Sequence, residues 1–196
     1  RFFMFPEKSL TEEQTLQLRR DLMRKAGRSL VLTPNKLDAE AVSRDVAEHL
    51  KYPVFTADDL EVSKTGFTSS AHAVAVIANR YDGIDFPDDD CRLLFVEGLS
   101  RTTNLQERFL INRMGANLLF NERIQTRVLQ AIGRCTRGLN DYSAVVITGD
   151  ELPAYLTDRK RRAFFHPELQ AELEFGVDQS TRVKAQDLLD NFVRNG

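Results

Sequence analysis

The sequence predicts an α/β fold in which a parallel β-sheet is covered by helices on both faces. Three observations carry this. Short runs at 29–33 (SLVLT), 73–78 (AVAVIA), 92–96 (RLLFV) and 144–148 (AVVIT) are apolar at nearly every position. They lack the in–out alternation of a strand with one wet face, so they read as strands buried on both sides. Segments with helical spacing separate them, and the order strand, helix, strand repeats along the chain. In such sheets ligands bind at the carboxyl ends of the strands, so chemistry is expected in the loops after Thr33, Ala78, Val96 and Thr148.

Each element has a local reason. Residues 12–26 set Leu16, Leu18, Leu22 and Met23 among charged residues at helical spacing. Thr11 stands ready to cap that helix, with Gln14 at the capping-box position and Gly27 to end it. Pro34-Asn35 breaks the first strand, and 36–50 return to helical spacing through Leu37, Ala41, Val42, Val46 and Leu50. Residues 53–55 read as a short strand, and the polar stretch 57–70 as holding a short helix that ends near Gly66. Helices are expected over 104–116 and 121–136, then over 151–157, 159–164, 167–175 and 181–194.

Composition narrows the function by exclusion. A chain of 196 residues can bury a full core without metal or disulfide staples. With 42% hydrophobic and 29% charged residues it has a globular profile, not a disordered one. No apolar run approaches the roughly 18–20 residues that cross a bilayer. Cys91 and Cys135 match no zinc or redox spacing and suit a reducing, cytoplasmic interior. The chain starts at Arg1 with no signal-peptide pattern, and reads as a piece of a longer protein. The net charge of −2 hides a split: residues 1–35 carry +3, 36–98 carry −7, 99–140 carry +5 and 141–196 carry −3. Every base in the 99–140 stretch is an arginine, a planar fork suited to phosphate or carboxylate. Solvated helices paired with the acidic stretch would explain the same pattern.

Two segments stand out as candidate sites. Asn79-Arg80-Tyr81-Asp82-Gly83-Ile84-Asp85-Phe86-Pro87 follows the AVAVIA run directly. Gly83 allows a tight turn or a close ligand, and Asp85 can accept from a sugar hydroxyl or orient an arginine; an ordinary turn with a local cap is the plainer alternative. Gln130, Arg134 and Arg137 recur at i, i+4 and i+7, so a helix stacks them on one stripe. Such a stripe can grip a polyphosphate or stabilise charge during phosphoryl transfer, and it can equally complement the dipole at a helix end. Thr33-Pro34-Asn35 offers a hydroxyl and an amide to a nucleic-acid backbone, or Asn35 as a helix cap. Asp88-Asp89-Asp90 reads as a solvated acidic turn, and His49, His72 and His166 are isolated. The sequence holds no G-x-x-x-x-G-K-[ST] loop, so any ATP site here must be completed by another domain.

Taken together, VLTPN at 31–35, VIANRYDGIDFPDDDCRLLFVEGLS at 76–100 and QAIGRCTRGLNDYSAVVI at 130–147 resemble the second motor domain of superfamily-two helicases, in order and spacing. The likeness is to the XPD/DinG-like branch, whose final motif has the form Q-x-x-G-R-x-x-R followed by Asp-Tyr and a strand. It implies a RecA-like fold over 1–176, with a helical insertion at about 104–129 and an accessory C-terminal helix at 177–196. It implies that Thr33, Pro34 and Asn35 touch the nucleic-acid backbone, with Asn79 and Arg80 facing it too. It implies that Gly83 and Asp85 link nucleotide state to grip, and that Gln130, Arg134 and Arg137 face ATP across an interdomain cleft. Mg²⁺ would then be held mainly by a first motor domain, which is the implied partner in the parent chain. Single-stranded DNA is the implied substrate, with RNA left open, and a monomeric fragment is expected. One departure is Asp82 where the family commonly has Glu before the glycine. The rival is a nucleic-acid-binding module that keeps this fold without catalysis.

Overall fold

The sheet is built from β1 (Phe2–Met4), β2 (Arg28–Thr33), β3 (Val54–Phe55), β4 (Ala73–Ala78), β5 (Leu93–Glu97) and β6 (Ala144–Thr148). All pairings are parallel, in the order β1-β6-β5-β2-β4-β3. The computed structural model describes residues 1–79, 85–86, 88–98, 126, 128–135, 142–149 and 151–195. The expected insertion at 104–129 lies outside them apart from 126, 128 and 129. Helices α1 (Glu12–Ala26), α2 (Lys36–His49), α3 (Ala57–Val62) and α4 (Thr65–Thr68) lie in the first half. Residues 128–132 form α5, and α6 (Glu151–Thr157), α7 (Arg159–Arg162), α8 (Pro167–Ser180) and α9 (Ala185–Asn195) complete the chain.

β2 anchors the sheet. It lies residue for residue beside β4, Arg28 against Ala73 through Thr33 against Ala78, while Leu30–Leu32 face Leu94–Val96 of β5 on the other side. With both neighbours occupied, its side chains alternate into two cores. Leu30 and Leu32 join Ala73, Ala75, Ile77, Leu94, Val96, Val145 and Ile147 on one face, covered by α3, α4, α5, α6 and α8. Val31 joins Val74, Val76, Leu93, Phe95 and Val146 on the other, covered by α1, α2 and α9. This is the doubly covered parallel sheet that the apolar runs predict, and it is consistent with the RecA-like fold that the resemblance implies.

Local chemistry fixes several ends as the sequence indicates. The Thr11 hydroxyl accepts from the Gln14 N–H while the Gln14 side chain accepts from Thr11 N–H, and Gly27 closes α1. Asn35 Oδ1 accepts from Asp38 N–H at 2.9 Å, so the cap reading of Asn35 holds.

The structure also departs from expectation. Strand β1 is not predicted, because three residues give no periodicity; its pairing with β6 creates it. Gly66 lies inside α4, not at a helix end. Helix α5 does not run on to 136 as an α-helix, because it tightens into a 3-10 turn at Gly133–Cys135. Gly176 lies inside α8, which continues to Ser180. The last helix, α9, buries Leu188 and Phe192 in the core against α1 and β1, worth roughly 1.5–3 kcal/mol per side chain.

The amino edge of the sheet is tied down by arginine. Arg28 donates to the carbonyls of Ser70 at 2.9 Å and Asp90 at 2.8 Å, and also to that of Asp89. Arg92 pairs with the Asp89 carboxylate at 2.8 Å and lies 3.8 Å from the centre of the Tyr142 ring. The acidic run 88–90 therefore fastens the edge opposite the strand ends where ligands are expected. No helix among the described residues is long and apolar enough to cross a membrane.

Gly176 sets how closely α8 approaches β1. A Cβ there would stand 2.5 Å from the Phe3 carbonyl oxygen and 2.6 Å from the Phe3 Cβ. Alanine gains about 1 kcal/mol in helix propensity, but overpacking costs about 1–3 kcal/mol and backbone cannot yield cheaply. Gly176→Ala is therefore expected to lower unfolding stability, measured by urea denaturation. Stability equal to or above wild type would refute the close contact.

Candidate functional site at the carboxyl rim

Parallel pairing brings the ends of β2, β4, β5 and β6 to one rim. Asn79 N–H donates to the Thr33 carbonyl at 3.1 Å, joining the loops that follow β2 and β4. Thr33 is buried, and its hydroxyl donates to the Asn35 carbonyl at 3.1 Å. It thus braces the Thr33-Pro34-Asn35 turn from beneath. Asn35 is exposed and spends its side chain on Asp38, accepting from its N–H and donating to its carboxylate at 2.8 Å. Asn79 is exposed and sits at φ 56°, a left-handed conformation that Asn tolerates better than most residues. Thr33, Pro34, Asn35 and Asn79 are therefore brought together, whereas Arg80 and Gly83 lie outside the described residues.

Asp85 and Phe86 are fixed to the body of the fold. Its carbonyl accepts from Lys64 Nζ at 2.8 Å, and the next residue, Phe86, is fully buried against Phe67 with ring centres 4.8 Å apart. Lys64 also lies 5.6 Å from the Phe86 ring centre. The anchor is thus the α3–α4 corner, a role of Lys64 and Phe67 that sequence reasoning missed. Helix α5 buries Val128, Ala131 and Ile132 in the same core layer and leaves Gln130 exposed. Arg134 is placed by its backbone in the 3-10 turn, its side chain outside the description, and Arg137 lies outside the described residues.

Two further features of the rim carry no sequence motif. Gly98 and Gly149 end β5 and β6 at φ 81° and 93°, and a Cβ on Gly149 would meet Gly98 N at 3.3 Å. A side chain at 149 would thus press on the end of β5, and one at 98 would meet Pro34 at 3.8 Å, while the Gly149 N–H donates to the Glu7 carboxylate at 3.1 Å. Glu97 ends β5 and pairs with Arg19 of α1 at 2.6 Å; Arg19 also reaches Asp45 of α2 at 3.2 Å, and Arg20 grips the same carboxylate. Burial pushes the Asp45 carboxyl up, but the Arg20 and Arg19 hydrogen bonds and charges outweigh it and hold it below the usual carboxylate range. The network straps α1 and α2 to the end of the central strands.

This geometry meets a family signature. The sequence model of the helicase C-terminal domain matches residues 18–164. The chain belongs to that family. The matched span of this helicase C-terminal domain contains every candidate residue from Thr33 to Arg137. ATP-dependent DNA helicase chl-1 of Caenorhabditis elegans is 36% identical over 103 residues, covering 48% of this chain and 12% of that protein. The helicase C-terminal domain described here thus spans a small part of that relative's length.

The Asp45 network has a pH signature. A carboxyl depressed on folding contributes stability that is present above its unfolded pKa, near 4, and is lost as pH falls through its lower folded value. Asp45→Asn is expected to lose roughly 1–3 kcal/mol at neutral pH, as for hydrogen bonds to charged groups. The gap from wild type should narrow as pH drops below about 4 in urea titrations. A gap unchanged from neutral pH down to about pH 3 would argue against the strap.

Proposed function

We propose that this domain is the C-terminal motor half of an ATP-dependent DNA helicase or translocase. The observation that carries the reading is the Gln130–Arg137 segment, set in a helicase C-terminal domain whose sequence holds no phosphate-cradling loop. Arginine forks without a cradle suit a nucleotide site completed by a first motor domain. The α5 corner fits that role. Gln130 is exposed, and a Cβ on Gly133 would meet nothing within 4 Å among the described residues, which suits a turn approached by nucleotide and partner domain. An amide and two guanidiniums are the right donors for phosphate oxygens.

In this reading Arg134 and Arg137 stabilise charge that builds on the transferring phosphoryl group, while Gln130 orients at the cleft mouth. Bound ATP with Mg²⁺ supplies the phosphoryl group, the metal being held mainly by the first domain. Asp85 and Gly83 relay the closed state to the Thr33–Asn35 turn and to Asn79 and Arg80, which hold the backbone of single-stranded DNA. The hydrogen bond between Asn79 and Thr33 supports this coupling, since it makes the two nucleic-acid loops one unit. Closing and reopening of the cleft then move the domain along the strand.

The test is strand-stimulated ATPase activity of the full-length parent, with labelled-strand binding followed in parallel. Arg134→Ala is expected to lose about 10³-fold or more in turnover while still binding the strand. The 196-residue chain alone is expected to hydrolyse no ATP. A parent that binds strands but shows no turnover would leave the non-catalytic binding module as the correct reading. Gly133→Ala meets no clash among the described residues, so its unfolding midpoint in urea should equal or exceed that of wild type, and a clear drop would contradict the open turn.

A further inference from the structure

A second basic surface lies away from the rim. Helix α7 is four consecutive cations, Arg159, Lys160, Arg161 and Arg162, and the first three are exposed. Among the described residues none of the four has an ion-pair partner. The nearest acid in sequence, Asp158, is occupied as the helix cap, accepting from Arg161 N–H at 2.9 Å. Arg161 is ordered over the Tyr155 ring at 5.0 Å. Arg162 is only 8% exposed, yet its Nη1 is buried without a hydrogen-bond partner. Phe164, just beyond the helix, is 61% exposed. Arg159 and Arg162 are like charges one turn apart, which destabilises a helix, and the exposed Phe164 ring gains nothing from burial. Nor is it part of a general basic surface, since residues 141–196 carry a net charge of −3.

Its position separates it from the rim. Helix α8 runs alongside β1 in the same direction: Glu172 meets Arg1, Gly176 meets Phe3, and Ser180 Oγ accepts from Phe5 N–H. The start of α8, and α7 just before it, therefore lie toward the amino edge of the sheet.

We propose that Arg159, Lys160, Arg161 and Phe164 form a second contact for single-stranded nucleic acid, remote from the rim. Three long cationic side chains meet successive phosphates and the phenyl ring stacks on a base, the pairing of charge and aromatic face that single strands use. An acidic peptide would satisfy the charges and leave the ring idle. The inference extends the motor-domain reading and rests on it for the nature of the polymer.

The test is binding of a labelled oligothymidylate to the 196-residue chain across a salt series, for wild type, the triple variant Arg159→Ala/Lys160→Ala/Arg161→Ala, and Phe164→Leu. The triple variant should flatten the log–log salt slope by about 2, at roughly 0.7 per phosphate on a single strand. Phe164→Leu should weaken binding about five-fold or more with the slope unchanged, as expected for a lost stack. Should the triple variant not fold, Phe164→Leu decides alone. Unchanged affinity and slope in both variants, with wild type binding, would overturn the second contact and leave the rim reading intact. A wild type that binds no strand at low salt would sink both. Patch-dependent binding of a Glu-rich peptide, with oligothymidylate affinity unaffected by the variants, would make this a protein-docking surface and overturn the proposal.

Discussion

The structure depends on one constraint: a parallel sheet buried on both faces. Each crossover must carry the chain back to the amino edge before the next strand begins, so every strand ends at the same rim. β2, paired with β4 along its length and with β5 over Leu30–Leu32, makes this a tight requirement, because its centre has a strand on either side. Polar chemistry is then forced to the strand ends. Thr33, Asn79 and Glu97 are the first polar groups after apolar runs, and all three lie at the rim. Segments far apart in sequence become neighbours through backbone pairing, with no contribution from the side chains that would do the chemistry.

The two edges of the sheet are used differently. At the amino edge, Arg28 and Arg92 spend their donors on carbonyls and on the Asp89 carboxylate, locking the entry to β4, β5 and β6. At the rim, Asn35 and Asn79 stay exposed, and positions 98 and 149 are glycines that add no side chain at the strand ends. A rigid base under an accessible rim is what a domain needs if its loops are to grip and release without loss of fold.

The sequence discloses a feature when the signal for it is local. β2, β4 and β6 are legible because burial on both faces demands unbroken apolar runs. The Thr11–Gln14 box is legible because both partners are three residues apart. β1 is not, since its only partner, β6, comes about 140 residues later. The burial of α9 is not either: Leu188 and Phe192 form an apolar stripe whether the helix is accessory or core, and only α1 and β1 decide it. At the site, the meeting of the 33–35 and 79 loops follows from topology alone. The Glu97–Arg19–Asp45 strap does not, because its members are 78 and 26 residues apart and carry no motif. The stripe read from Gln130 to Arg137 assumes α-helical turns throughout. The chain tightens to a 3-10 turn at Gly133–Cys135, and the Arg134 side chain and Arg137 lie outside the described residues.

The arginines carry the same lesson in chemical form. In sequence, Arg19, Arg28, Arg92 and Arg161 are alike: charged forks in or beside helices and strands. In the fold, the first three are committed to Glu97 and Asp45, to three carbonyls, and to Asp89 with Tyr142. A committed guanidinium has already exchanged water for fixed acceptors, so it has little left to give a ligand and removing it costs the fold. An uncommitted one keeps its charge available, and its loss is read in binding instead. By this criterion Arg159 belongs to the second kind, and Arg161, though 5.0 Å from the Tyr155 ring centre, has no ion pair among the described residues; what counts is what each fork already touches and not how many arginines a segment holds.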